Sequence, residues 1–242
     1  MALNDLAVIR VLRNDFKEAE ALYRETLALN RKLLGEEHPE VASSLENLGG
    51  VLFRTGRQQE TLKMLDEVLA IRKKGLGEDS LGVARTLHNR SVVQSRAGEL
   101  VAAEAGFRES LVRLQKALGE EHPEMARVHA NYARLLRDKK EYAAAERELR
   151  SSLAIAVKKL GAEHEVTAGY ELDLGHVLVL EGRFGEAEPL LKRGLAAAEK
   201  GSDTRNAQRA AEQLVLVYKR TGRPTDAQMY EAKVASLKTA GQ

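Results

Sequence analysis

Cysteine and tryptophan are both absent from the 242 residues. Without cysteine there is no disulfide framework, no thiolate metal site and no thiol nucleophile, which fits a reducing compartment. No apolar run approaches the roughly 18 residues of a membrane-spanning helix, and the N-terminus carries no signal-peptide core. The chain therefore reads as soluble and cytoplasmic, with no membrane partner. Neither sign of charge prevails: 38 Lys and Arg face 36 Asp and Glu, leaving a formal charge of +2. Such a balance argues against nucleic acid, whose binders concentrate basic residues on one face. Aromatic residues make up only 4% of the chain and there are four prolines. β-branched residues are too sparse for a sheet protein, whereas Ala, Leu, Glu, Arg and Lys form a helical alphabet.

What is present is repetition. The string LGEEHPE occurs at 34–40 and again at 118–124, 84 residues later, and half of that interval organises the whole chain. Gly35, Gly77, Gly119 and Gly161 follow one another at 42-residue steps, each preceded by a leucine (Leu34, Leu76, Leu118 and Leu160). Ala42, Ala84, Ala126 and Ala168 form a second column, and Ala19, Thr61, Ala103, Ala145 and Ala187 a third. Asn47, Asn89 and Asn131 form a fourth, with Asp5 and Asp173 at its ends. A fixed period of this size marks a stacked repeat architecture. Within one period, Leu45, Leu48, Gly49 and Leu52 share a helical face, Gly56 breaks the helix, and Leu62, Leu65 and Leu69 continue in a second one that Gly77 ends. Gly49, Ala133 and Gly175 are small enough for close helix approach. Tyr23, Leu65, Phe107, Leu149 and Leu191 fill the space one turn beyond the alanine column. LGEEHPE is then a corner. Leucine ends an apolar stripe, glycine stops the helix as a left-handed cap, and Pro39 or Pro123 starts the next one.

Leu34-Gly35-Glu36-Glu37-His38-Pro39 with Ala42, together with Asn47-Leu48-Gly49, resembles the tetratricopeptide repeat. The pattern is closest to the 42-residue variety of kinesin light chains and bacterial multidomain signalling proteins. The resemblance covers nearly the whole chain. It implies an all-α fold, a right-handed α-solenoid of about six helix-turn-helix units at 1–37, 38–79, 80–121, 122–163, 164–202 and 203–242, with the last helix, from Pro224, as a polar cap. Met1 aligns with Ser43, so the chain is expected to be a fragment that opens inside a helix. The joints at Gly77-Glu78-Asp79-Ser80 and Gly161-Ala162-Glu163-His164-Glu165 depart from the pattern. Arg90 replaces the Leu48 type of residue, and the spacing shortens by two after Lys200.

No catalytic constellation is legible. There is no Gly-x-Ser-x-Gly elbow and no Walker lysine motif. Gly75-Leu76-Gly77 with Gly82 lies between helices rather than after a strand, where a dinucleotide loop belongs. His38, His122 and His164 lack a second histidine at metalloprotease spacing and read as caps. The expectation is a chain that is not an enzyme and has no cofactor and no metal site.

The first helix of each pair is expected to line a concave groove. On its exposed positions lie Ser43, Glu46, Asn47, Gly50 and Arg54, then Arg85, His88, Asn89, Val92 and Arg96, then Arg127, Ala130, Asn131, Arg134 and Arg137, then Asp173 and His176. Asparagine is a poor mid-helix residue, because its side chain competes for backbone hydrogen bonds. Recurring Asn47, Asn89 and Asn131 therefore suggest amides that grip a peptide backbone, as the resemblance implies, or amides that bridge adjacent units. Clustered arginines suit carboxylates. The candidate peptide-binding set is Asn47, Arg54, Arg85, His88, Asn89, Arg96, Arg127, Asn131 and Arg134. The function expected is a scaffold that binds a peptide or helical segment, acidic in character. The alternative is a structural arm that packs on a neighbouring domain or forms a homo-oligomer through an open first helix.

Overall fold

Every turn within a helix pair depends on one residue of positive φ. The computed structural model describes residues 2–240. In the first of two compact units, residues 1–120, helices α1 (Ala2–Leu12), α2 (Phe16–Leu34), α3 (Pro39–Arg54), α4 (Gln58–Leu76), α5 (Leu81–Ala97) and α6 (Leu100–Leu118) form three antiparallel pairs. In the second unit, residues 121–242, α7 (Pro123–Asp138), α8 (Tyr142–Leu160), α9 (Glu165–Leu180), α10 (Phe184–Lys200), α11 (Thr204–Arg220) and α12 (Pro224–Ala240) form three more. Among the described residues there is no strand, and the fold is an all-α helical-repeat solenoid. The six intra-pair turns place Asn14, Gly56, Gly98, Lys140, Gly182 and Gly222 at φ between 59° and 82°. Glycine reaches that region freely, whereas Asn14 and Lys140 do so at a cost.

The joints between pairs differ from a left-handed cap. Gly35, Gly77, Gly119 and Gly161 combine φ of 82–92° with ψ of 158–164°. That corner of the map is open essentially to glycine alone. It turns the chain outward, so Leu34, Leu76 and Leu160 end up exposed rather than closing an apolar stripe. The histidines then start the next helix. Nδ1 of His38, His122 and His164 accepts the backbone N–H of Glu40, Glu124 and Val166 at 3.1, 3.2 and 3.1 Å. Each satisfies an amide that has no partner within the helix. At the shortened joint Gly201 has ordinary φ, and Ser202 takes the left-handed conformation instead.

Packing follows the columns. Ala19 and Ala103 in the first unit, and Ala145 and Ala187 in the second, are fully buried, with Tyr23, Phe107, Leu149 and Leu191 beside them. Thr61 meets Gly49, its hydroxyl donating to the Gly49 carbonyl at 3.3 Å. Ser91 stands in the Gly49 column of the next pair, and its extra atoms fit because Gly106 across from it has no Cβ. Arg90, in the Leu48 column, points outward and pairs with Asp66 at 2.6 Å. In the second unit α9 touches α7, α8, α10 and α11, and it is buried around most of its circumference. Two carboxylates, Glu171 and Asp173, are buried with it.

Candidate functional site

The sequence-predicted residues fall into three groups. The first group is structural. Asn47 Nδ2 donates to Asn4 Oδ1 at 3.0 Å, tying the first helices of two adjacent pairs. His88 is not on an accessible face: it is 2% exposed, under the Phe107 ring at 6.0 Å between centroids. It is buried because the Phe107 ring reaches back over α5. Ala130 is likewise buried.

The second group is engaged with acids of the second unit. Arg134 donates to Asp173 Oδ2 through Nε at 3.2 Å and Nη2 at 2.8 Å, and to Asn131 Oδ1 at 3.0 Å. Arg209, which sequence reasoning missed, holds Oδ1 of the same carboxylate. α7, α9 and α11, the first helices of three successive pairs, thus meet on one buried anion. Burial pushes the Asp173 carboxyl up, and the two guanidiniums more than reverse that, leaving it below the usual carboxylate range. Next to it, burial and then the charges of Arg137 and Arg209 press His176 down to about 4, so the ring is neutral near pH 7. Arg137 itself pairs with Asp138 at 2.8 Å.

The third group keeps its charge available. Arg54 lies over the Phe16 ring at 4.6 Å and donates to Asn14 Oδ1 at 3.4 Å. Arg96 lies over Phe53 at 6.0 Å. Stacking on a ring orients a guanidinium without neutralising it. Arg127 is exposed on α7. Among the described residues none of these three pairs with a carboxylate. Arginines of the second helices do: Arg24 with Glu20, Arg113 with Asp79 and Glu109, and Arg150 with Glu146. Arg85 is exposed and Asn89 is half-buried on α5. Among the described residues no three His, Asp or Glu side chains gather as a metal site, and no helix is long and apolar enough to cross a membrane.

The sequence profile of the tetratricopeptide repeat matches residues 1–74, 47–111, 82–158 and 124–200. The chain belongs to the tetratricopeptide repeat family. Solved tetratricopeptide-type structures share the fold. A Podosopora anserina kinesin-light-chain-type protein with nearly identical TPR-like repeats is 24% identical, with a TM-score of 0.70 over 84% of this chain and 95% of that one. BtubC (BKLC) from P. vanneervenii is 16% identical, with a TM-score of 0.80 over 93% and 91%. A Rap protein, crystallised in complex with Competence and Sporulation Factor, is 13% identical, with a TM-score of 0.72 over 98% and 74%. None of the curated proteins matches the chain. Tetratricopeptide repeats are in general protein–protein interaction scaffolds, and no catalytic family is indicated.

Proposed function

We propose that this tetratricopeptide array is a non-catalytic scaffold that binds an acidic peptide or helical segment on the faces of its first helices. One observation carries the reading. Arg54, Arg96 and Arg127 stand on those faces with no carboxylate partner among the described residues, in a chain whose second-helix arginines are largely paired. A carboxylate brought by a partner would complete charge-assisted, forked hydrogen bonds there. The complex of the Rap protein with Competence and Sporulation Factor is a precedent for the fold. Arg85, Asn89 and Asn131 belong to the same faces and would add hydrogen bonds. Asn47 contributes through its bridge to Asn4, and His88 through packing rather than contact.

The test is affinity capture from source-cell lysate, read by mass spectrometry. The native chain is compared with the triple variant Arg54→Glu, Arg96→Glu, Arg127→Glu after equal helicity is confirmed by circular dichroism. A protein held by the native chain and lost by the variant supports the reading, and retention by both refutes it. A second reading has its own observation: Leu6, Val8, Ile9 and Leu12 of α1 are exposed. If that face mediates self-association, light scattering will show a dimer that Ile9→Glu with Leu12→Glu dissolves.

A further inference from the structure

The second unit holds a pocket of about 350 Å³ between α7, the end of α8 and the start of α9. That lies within the size range of ligand pockets. Its apolar lining includes Ala126, Ala156, Leu160, Val166 and Tyr170, and its charged lining is Arg127, Lys159 and Glu124. The reason for the space is visible in the repeat register. The residue 84 positions before Ala156 is Arg72, whose side chain fills the corresponding site of the first unit. Its Nη1 donates to the Gly82 carbonyl at 3.3 Å, to Thr86 Oγ1 at 2.6 Å and to Glu46 Oε1 at 2.7 Å. Gly82 and Thr86 occupy the registers of Val166 and Tyr170. The intermediate register holds Leu114, a buried residue. Alanine at 156 removes the filler and leaves an apolar space, with two cations and one acid among its charged residues. Arg127 forms no ion pair with a carboxylate among the described residues, and Lys159 acts only at a distance on Glu121, a carboxylate already bonded by Lys158 at 2.5 Å.

We infer that this pocket accepts one large apolar side chain of an acidic peptide, whose flanking carboxylates pair with Arg127 and Lys159. The inference rests on the scaffold reading and names the ligand chemistry of one part of it. Charge selects the occupant. A basic or neutral segment would leave Arg127 without an ion-pair partner and Lys159 with only the distant Glu121, whereas an apolar residue with acidic neighbours satisfies the walls and the cations together. Tyr170 supplies an aromatic wall. Its ring is half-buried and its hydroxyl lies near Ser152, which donates to the Ala126 carbonyl at 2.7 Å, so the ring is partly ordered before any ligand arrives. A wall partly ordered in advance lowers the ordering cost of binding.

The experiment selects a displayed library of random dodecapeptides on the full chain. A fluorescein-labelled synthetic copy of the most enriched sequence is then titrated by fluorescence polarisation. The expected result is enrichment of a large apolar residue with two or more acidic neighbours. Affinity should fall at least tenfold in Ala156→Leu, which restores the residue type found at register 114. It should fall equally in Arg127→Glu with Lys159→Glu, an exposed pair whose change leaves the fold intact. Enrichment of basic or apolar-free sequences, or no enrichment, overturns the inference. So does undiminished binding by both variants. If that undiminished binding is nevertheless lost in the Arg54, Arg96 and Arg127 triple variant, the scaffold reading stands and only the pocket is refuted.

Discussion

Asp173 is the residue on which the second unit turns. Its side chain is 3% exposed, whereas those of Arg134 and Arg209 are 49% and 32% exposed. The costs of breaking the cluster are therefore unequal. Removing the acid frees two cations that can reach water, and Asp173→Asn should lower stability by about 1–3 kcal/mol. Replacing both arginines by methionine strands a buried carboxylate, and should cost more, about 3–5 kcal/mol. Urea midpoints of the two variants decide the order. A second residue prediction concerns His176, whose neighbours are Arg137, Arg209, Asp173 and Asp138. Its folded value of about 4 lies below the unfolded 6.5, so the fold prefers the neutral ring. The associated stability is complete above pH 6.5 and is lost as pH falls toward 4. His176→Gln should flatten the drop in urea midpoint between pH 7.5 and pH 5. Asp173 was visible in the sequence as the end of the asparagine column. Its role was not, because Arg134 lies 39 residues before it and Arg209 36 residues after it, the latter displaced from the 42-residue register.

At the scale of helices, glycine, proline and histidine at the joints made the pair boundaries legible, since each acts on the backbone within a few residues. What local signals could not show was which side chains face each other across a pair. Ser91 and Gly106 are an example. Ser91 Oγ is held by the Leu87 carbonyl at 2.8 Å, and a Cβ on Gly106 would overlap it. Gly106→Ala should therefore destabilise the first unit by about 1–3 kcal/mol. Adding Ser91→Gly should recover most of the loss, a coupling that a double-mutant cycle in urea will read directly. The burial of His88 has the same origin: it depends on Phe107, 19 residues away on the partner helix. The turn column offers a stabilising change. Lys140 holds φ of 64° where four of the other five turns have glycine. Lys140→Gly removes a left-handed strain of about 1–2 kcal/mol and adds a smaller loss of chain entropy, about 0.5–1 kcal/mol. A gain of about 0.5–1 kcal/mol in unfolding free energy is the expected outcome.

For the molecule as a whole, the dominant helix contacts join elements adjacent in the chain. Two longer-range pairs, α7 with α9 and α9 with α11, lie within the second unit. Stability in such an array is close to a sum of unit and nearest-neighbour contributions, so no distant segment is needed to complete a given pair. Period and composition were enough to show this architecture, because the repeat spells it in every unit. The pocket was hidden in a departure from the repeat, Ala156 where Arg72 and Leu114 stand at the same register, and its meaning needed the geometry of α9. Both points lead to one test at this scale. Residues 1–120 and residues 121–242, expressed separately, should each give helical circular dichroism spectra and a cooperative thermal transition. The whole lining of the pocket lies within 121–242. That half alone should bind the selected acidic peptide with an affinity within about threefold of the full chain, since every contact invoked is local to it. The 1–120 half, where Arg72 fills the equivalent space, should bind it at least tenfold more weakly. Equal binding by both halves would mean that the exposed arginines alone recognise the peptide, and that the space left by Ala156 is not used.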